Sequence, residues 1–311
     1  MALFSSHTFR TAAMPLGMLI GALLCREMAW AEEVTDGWLT PMFIASMLFI
    51  TFCRVDARKI RFSWLHLWML LFQVVGSFAV YYALAWADVV VAQGGMICVL
   101  APVAMGAVVI GGMLGANLES MAAYSLLCNI FIAFFAPFML STYGNGLCTM
   151  LQILQRVTPM LILPFLAGQL CRWLTPRFSG WVAGHSQISF YIWLMSLIVI
   201  IGRTTCFIID NGENRVVQIV LAAVALVICL LQFTFGRYLG RRYGDAASGG
   251  QSLGQKNTVL AVWMSQSFLD PVSCVAPTAY IVWQNIVNSY QLYLKGKADK
   301  EIQNSKFKIQ N

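Results

Sequence analysis

Hydrophobic residues occur along the chain in long runs that are separated by short polar stretches. The runs have roughly 17 to 25 residues, the length that a helix needs to cross the hydrocarbon core of a bilayer. The pattern predicts an all-α polytopic membrane protein with ten transmembrane helices in a single domain, 1–311. The predicted spans are 12–31, 38–53, 64–86, 89–115, 120–141, 147–173, 186–203, 216–236, 257–273 and 277–294.

Two of these runs are interrupted by residues that break helices. Asp88–Gly115 is broken by Leu100-Ala101-Pro102, and Thr258–Val282 is broken by Ser265-Gln266-Ser267 and by Asp270-Pro271. In a bilayer, unwound backbone is tolerated only where protein or a water-filled cavity covers its polar groups. Broken spans at corresponding positions of two halves, here helices 4 and 9, predict the binding site of an inverted-repeat secondary transporter.

Lysine and arginine residues concentrate in every second connection between the predicted spans. They are Arg54, Arg58, Lys59 and Arg61 after span 2, Arg172 and Arg177 after span 6, Arg237, Arg241, Arg242 and Lys256 after span 8, and Lys295, Lys297, Lys300, Lys306 and Lys308 after span 10. Basic connections stay in the cytoplasm, which predicts that both termini are cytoplasmic. With five spans in each half, the second half is inverted, so the repeats are 1–141 and 147–296. The basic tail 297–311 follows them and is predicted to contact anionic lipid headgroups.

The first run allows a second interpretation. Arg10, the apolar residues after it and Ala29-Trp30-Ala31 together resemble a signal peptide with a small-residue cleavage site. Removal of this segment would leave nine spans and destroy the symmetry between the two halves. We therefore favour a membrane span.

Composition and charge argue against several functional classes. The chain is 59% hydrophobic and 11% charged, so its net charge of +7 mostly reflects orientation in the membrane and not nucleic-acid binding. No phosphate-binding loop is present, which argues against an ATP-driven pump. The nine cysteines are scattered without a CxxC pair, and a disulfide between Cys148 and Cys206 has no support. We predict no metal site, no cofactor and no enzymatic chemistry.

Several short motifs resemble the bile acid:sodium symporter family in their order and spacing. They are Met42–Cys53 with Val55–Lys59, Leu71–Val74, Ala101-Pro102 with Gly115–Glu119, Lys256-Asn257, Met264–Ser267 and Trp283–Asn285. The resemblance covers about residues 12 to 296 and identifies the chain as a divergent member. It implies a core domain with two crossed, unwound helices, a flanking panel domain, and transport of an organic anion by alternating access.

The sequence departs from this family where sodium is expected to bind. Family members carry polar residues after the first crossover and a glutamate in span 9. The corresponding residues here are Ala107, Val108 and Ala261, or Val262 if the alignment shifts by one. Sodium prefers oxygen ligands, so none of these side chains can bind it. The remaining candidates for a site that holds Na⁺ or H⁺ are Gln73, Ser125, Ser265, Gln266 and Asp270.

Asp270 and Arg156 are ionisable residues inside predicted spans, where charges are rare and usually functional or paired. One hypothesis is that Asp270 binds the coupling cation or proton, while Arg156 attracts an anionic substrate or pairs with Asp270. The alternative for Asp270 is a helix cap, since Asp before Pro favours a turn. The alternative for Arg156 is that its long side chain reaches the membrane surface.

Polar residues of spans 3, 5, 9 and 10 are predicted to line the substrate site. The candidate substrate-binding residues are Gln73, Pro102, Asn129, Gln266, Asp270, Asn285 and Arg156, with Ser267, Gln284 and Asn288 nearby. Amides and hydroxyls also join helices without any transport role, and a proline can merely kink a helix. The cluster Ser265–Ser267 favours a binding site, because the helix is predicted to unwind there.

The sequence therefore predicts a secondary transporter in the bacterial inner (plasma) membrane. Its substrate would be a bile-acid-like anion, a sulfoconjugate or a carboxylate. Two alternatives stay open. One is a transport-inactive sensor or partner subunit with the same fold. The other is an arsenite or metabolite exporter of a related ten-span type, with Cys98 as a soft ligand near the crossover.

Overall fold

The computed structural model describes residues 7–53, 61–104, 106–210 and 215–310, and these ranges are almost entirely helical. The helices are α1 (His7–Leu23), α2 (Cys25–Val34), α3 (Leu39–Phe52), α4 (Trp64–Ala85), α5 (Val89–Leu100), α6 (Gly106–Met113), α7 (Leu118–Tyr143), α8 (Met150–Leu174), α9 (Pro176–Gly184), α10 (Ser186–Asp210), α11 (Arg215–Arg242), α12 (Ala246–Gly254), α13 (Thr258–Phe268) and α14 (Val275–Gln310). A 3-10 turn, Pro271–Cys274, joins α13 to α14.

Polar residues between the hydrophobic runs start many of these helices. Asp88, for example, accepts hydrogen bonds from the backbone N–H groups of Val90 and Val91 at the start of α5. Such caps satisfy amide groups that the first turn of a helix leaves free. The other side-chain caps are Asn117 for α7, Thr149 for α8, Asp245 for α12, Asn257 for α13 and Asp270 for the 3-10 turn.

Five helices in the described ranges are long and apolar enough to cross a membrane, and a sixth span results if the bent pair α2 and α3 counts as one. The five are α4, α7, α8, α10 and α11. The prediction of an all-α integral membrane protein is confirmed. The count of ten spans stays a prediction, because the other spans would consist of shorter or more polar helices. Arg54, Arg58 and Lys59 lie outside the described residues.

The helices pack into two bundles. We call α1–α3 with α8–α10 the panel bundle, in which α10 packs against α1, α2 and α3, and α3 packs against α8. We call α4–α7 with α11–α14 the core bundle, in which α11 packs against α5, α12 and α14. The two bundles meet along α7 and α8, and also where α3 and α10 contact α13.

The predicted interruption at Asp270-Pro271 is present, because α13 ends at Phe268 and a 3-10 turn begins at Pro271. Each of the two predicted broken spans also has a break between two half-helices, but the second of these breaks is not where the sequence suggested. The first lies between α5 and α6, at Ala101–Ala104, as predicted. The second lies at Gln255–Asn257, between α12 and α13, whereas Ser265–Ser267 continue α13 without interruption. The predicted break at Ser265–Ser267 and the predicted start of span 9 at residue 257 are therefore wrong. The half-helix α12 precedes that start and had been assigned to a basic connection.

Glycines bring α11 and α12 unusually close together. After α11, Gly244 has a φ of +76°, a left-handed conformation that favours glycine, and the chain turns back into α12. A Cβ atom on Gly236 would meet the carbonyl oxygen of Gly249, and a Cβ on Gly249 would meet the carbonyl oxygen of Gly236. Gly240 and Gly236 are four residues apart on α11, the spacing by which small residues let membrane helices approach closely.

Candidate functional site

The two helix breaks lie against each other inside the core bundle. Val103, after α5, and Lys256, after α12, form an isolated antiparallel bridge. The backbone N–H of Asn257 donates to the carbonyl of Pro102 at 2.7 Å. Backbone N–H and C=O groups that are unwound at one break therefore form hydrogen bonds with those at the other break. Interrupted helices in a bilayer need such partners within the protein. We call this meeting point the crossover.

Side chains cover four consecutive carbonyl groups at the C-terminal end of α5. Gln232 donates to Cys98 at 3.2 Å, Lys256 Nζ donates to Val99 at 2.9 Å, and Gln73 Nε2 donates to Leu100 at 2.7 Å and to Ala101 at 2.8 Å. A helix leaves its last carbonyls without intrahelical partners, and here buried side chains supply the missing donors. Gln73 is fully buried, and its Oε1 accepts from the hydroxyl of Tyr124 at 3.1 Å.

Several buried polar atoms around the crossover have no hydrogen-bond partner among the described residues. They are Asn129 Oδ1, Ser252 Oγ, Gln255 Oε1 and Asn257 Nδ2. All four side chains are more than nine-tenths buried. A buried polar group without a partner costs about 1–3 kcal/mol, so such groups in native proteins usually face an unplaced ligand or water. These atoms are candidates for contact with a polar ligand.

A cavity of about 460 Å³ lies between the panel and core bundles. Its lining residues are Ala29, Glu32, Glu33, Gly37, Arg203, Cys206, Phe207, Asp210, Gln266 and Pro271. Gln266 lies on the core side, and its Nε2 donates to Thr204 Oγ1 on α10 at 3.4 Å. The Gln266 Oε1 atom is buried without a partner among the described residues. The cavity therefore lies between the two bundles, next to the contact between α13 and α10.

A buried ion pair forms part of the panel side of this cavity. Arg203 Nη1 lies 3.2 Å from Glu32 Oε1, and their side chains are 25% and 4% exposed. Glu32 Oε2 also accepts hydrogen bonds from the backbone N–H of Thr40 at 3.2 Å and from its hydroxyl at 2.9 Å. Glu32 thus connects α2, α3 and α10 through its contacts with Thr40 and Arg203.

Replacing Arg203 with methionine should destabilise the protein strongly, because it leaves the Glu32 carboxylate buried without a counter-charge. Removal of one partner of a buried ion pair typically costs about 3–5 kcal/mol. The measurement is the thermal unfolding midpoint of the purified protein in detergent. Arg26→Met is the matched control, since Arg26 pairs with Asp210 at 2.8 Å but both side chains are largely exposed, at 66% and 46%. Equal shifts for the two variants would contradict the assignment.

The structure brings only some of the predicted site residues together. Gln73 and Pro102 lie at the crossover itself. Asn129 and Ser125 lie on α7, where the Asn129 amide donates to the Ser125 carbonyl at 2.7 Å. Cys128, next to Asn129, donates to Gln73 Oε1 at 3.3 Å, which places this part of α7 beside the first break.

The predicted residues Gln266, Asn285 and Asp270 have their partners elsewhere in the fold. Gln266 lines the cavity between the bundles, Ser265 is buried within α13, and the partly buried Asn285 donates to the Ile281 carbonyl of its own helix. The side chain of Asp270 accepts a hydrogen bond from the backbone N–H of Val272 at 2.9 Å and caps the 3-10 turn.

Asp270 and Arg156 do not form the ion pair that we considered from the sequence. Arg156 is exposed on α8, in the panel bundle, and no ion pair between the two residues occurs in the described ranges. Asp270 lies at the far end of the core half-helix α13 instead. Its position agrees with the alternative of a helix cap, and the exposure of Arg156 agrees with a side chain that reaches the surface.

Lys256 and Tyr280 hold the second break but were not predicted to line the site, whereas Gln284 was. Lys256 was assigned to a basic connection, but it is fully buried at the crossover. Tyr280 donates to the Gly254 carbonyl at 2.8 Å, and Gln284 accepts from the backbone N–H of Lys256 at 3.0 Å. The available signal was the glycine-rich stretch before Lys256, which resembles a loop but can also mark closely packed helices.

The cysteines give no support to a disulfide or a soft-metal site. All nine are free thiols, so Cys148 and Cys206 are not joined. Cys98 is fully buried in an apolar cluster of the core bundle. Within the residues that the structure describes, no group of three or more His, Cys, Asp or Glu side chains could hold a metal ion.

Comparison with known families gives one match. The sequence model of the Sodium Bile acid symporter family matches residues 41–218, which is more than half of the 311 residues. The matched region begins in α3, includes the first break and extends into α11. No curated protein matches the sequence.

Proposed function

The chain belongs to the sodium bile acid symporter family, and we propose that it moves a small organic anion across the membrane by alternating access. The observation that carries this proposal is the crossover, where two broken helices satisfy each other's backbone next to unpaired buried polar atoms. Such broken helices hold the substrate in inverted-repeat transporters. Membership of a symporter family also favours transport over enzymatic chemistry.

Two half-helices begin at the crossover, and their N-terminal ends favour an anion. α6 starts at Gly106 and α13 starts at Thr258, each directly after a break. The N-terminal end of a helix carries partial positive charge and free backbone N–H groups. The unpaired Nδ2 of Asn257 adds a donor at the start of α13. A carboxylate or sulfonate group of the substrate would bind between these two ends.

The cavity between the bundles provides the approach to this site. It lies on the side of the crossover where α13 ends at Phe268, because Gln266 and Pro271 are among its lining residues. If the basic connections face the cytoplasm, this side faces outward. The buried pair Glu32–Arg203 neutralises its own charges, so substrate selection would depend on the crossover and not on the cavity wall.

The test is uptake of a labelled bile acid into proteoliposomes, with sodium and proton gradients imposed separately. We expect saturable uptake that an unlabelled sulfoconjugate or carboxylate inhibits if it shares the site. Asn129→Leu should abolish uptake, because it removes the carbonyl oxygen Oδ1 of Asn129, which is buried without a partner among the described residues. Asn285→Leu is the matched control. The amide of each residue donates to its own helix, but Asn285 is only partly buried and has no buried unpartnered atom among the described residues, so its loss should leave uptake nearly unchanged.

The absence of saturable uptake under either gradient, with folded protein, would contradict the proposal. It would favour the alternative of a transport-inactive sensor or partner subunit. Equal effects of Asn129→Leu and Asn285→Leu would instead show that uptake does not depend on the atoms at the crossover.

A further inference from the structure

Lys256 lies at the centre of the crossover, where no solvent reaches it. Its relative exposure is 1%, although lysine is among the residues least often fully buried. Its Nζ atom donates to the carbonyl of Val99 at 2.9 Å, across the two breaks. Its backbone N–H donates to Gln284 Oε1 at 3.0 Å, so both ends of the residue are fixed.

Among the residues that the structure describes, the ammonium group of Lys256 has no carboxylate partner. The ion pairs in the described ranges are Arg26–Asp210 and Arg203–Glu32, and neither includes it. The titratable groups that interact with it are the thiols of Cys98 and Cys128. Charges inside a membrane protein are costly and are usually paired or functional. The compensation for this charge must therefore come from the backbone.

The C-terminal end of α5 supplies that compensation. A helix carries partial negative charge at its C-terminal end, where its last carbonyls have no intrahelical partner. Of the donors to the four carbonyls from Cys98 to Ala101, the amides of Gln73 and Gln232 are neutral, and only Lys256 carries a positive charge. The end of α5 is thus a cation site, and a lysine side chain fills it.

In inverted-repeat transporters, unwound carbonyls and the C-terminal ends of half-helices bind the coupling cation. Building on the proposed function, we propose that the Lys256 ammonium is a tethered cation that occupies the place of a coupling ion at the first break. A free sodium ion at the same carbonyls would lie within a few ångströms of the ammonium, and the repulsion in this low-dielectric interior would exclude it. The carrier then keeps one positive charge that does not dissociate between transport cycles.

The test measures sodium binding without any substrate. Purified wild-type protein and Lys256→Gln are compared for retention of radioactive sodium in a scintillation proximity assay. Their thermal unfolding midpoints are also compared in sodium chloride and choline chloride. We expect no sodium response from the wild type at this site. Lys256→Gln should retain about tenfold more sodium, because it exposes the Val99 carbonyl and adds an amide oxygen. Lys297→Gln, an exposed change on α14, should behave as the wild type.

Either of two results would overturn the proposal. One is a sodium-dependent gain in stability of the wild type that Lys256→Gln reduces, which would mean that sodium and the lysine act together. The other is an unchanged response of a folded Lys256→Gln, which would mean that the end of α5 is not a cation site. If Lys256→Gln does not fold, the same sodium measurements are made on Lys256→Met. The response of the wild type and of Lys256→Met to sodium then decides between the same outcomes. Because no substrate is used, failure of the bile acid uptake assay would not affect this result.

Discussion

Replacing Gly249 with leucine should abolish the folded protein, so that no monodisperse species is recovered in detergent. A Cβ atom at Gly249 would lie well inside 3.0 Å of the Gly236 carbonyl oxygen, closer than real Cβ atoms come to other atoms. The obstructing atom belongs to the backbone and cannot rotate away. The cost therefore exceeds the roughly 1–3 kcal/mol of an ordinary overpacked core.

The effect of Gly249→Leu would spread to the crossover, because α12 carries the second break at its end. Displacement of α12 from α11 moves Gly254, whose carbonyl accepts from Tyr280, and Asp245, whose carboxylate accepts from the backbone N–H of Asn117 at 2.9 Å. We therefore expect loss of the whole core bundle and not of one helix. The measurement is fluorescence-detected size-exclusion chromatography of the solubilised protein.

Gly296→Leu is the control for this prediction. Gly296 lies exposed on α14, and a Cβ atom there would have no neighbour within 4 Å. The same substitution should therefore leave the elution profile and the unfolding midpoint nearly unchanged. A monodisperse Gly249→Leu with wild-type stability would mean that α11 and α12 do not pack through these glycines.

Gln73→Leu should have the second largest effect. Leucine is similar in size to glutamine, but it removes the donor to the Leu100 and Ala101 carbonyls and the acceptor for Tyr124. Each buried group that loses its partner costs about 1–3 kcal/mol, and four groups lose theirs, since the Cys128 thiol also donates to Gln73. We expect a large drop in the thermal unfolding midpoint, and loss of any uptake activity in the fraction that stays folded.

Ser77→Ala tests whether this effect is specific. Ser77 lies one turn further along α4 and is fully buried, but its hydroxyl donates only to the Val74 carbonyl of its own helix. The alanine variant should therefore lose little stability. If Gln73→Leu is no more harmful than Ser77→Ala, the amide of Gln73 does not hold the first break.

The first break could be predicted from the sequence and the second could not, for a physical reason. Pro102 lacks an N–H group and interrupts an otherwise apolar run, which is a strong local signal. The second break follows Ala246–Gly254, a stretch of glycines, serines and glutamine that hydropathy assigns to water. Most of α12 is buried against protein and not against lipid, so the segment can keep its polar residues inside the fold. A hydropathy average over the sequence cannot distinguish such a buried polar helix from a loop.

The positive-inside rule gave the wrong location for Lys256 for a related reason. The positive-inside rule treats every lysine near a span as a loop residue, and it placed Lys256 with Arg241 and Arg242. Those two arginines do lie in the last turn of α11. The carbonyl that binds Lys256 belongs to Val99, which is far away in sequence, so no local pattern could indicate that a partner exists. The ion pair between Glu32 and Arg203 was not predicted for the same reason.

The order of synthesis constrains how α12 reaches its final depth. Gln251, in the middle of α12, donates to Asn288 at 3.0 Å, and the Gly254 carbonyl accepts from Tyr280. Both partners belong to α14, which leaves the ribosome after α12. A half-helix of nine residues with unpaired polar groups has no favourable place in lipid on its own. We therefore expect α12 to reach its final position only after α14 has been translated.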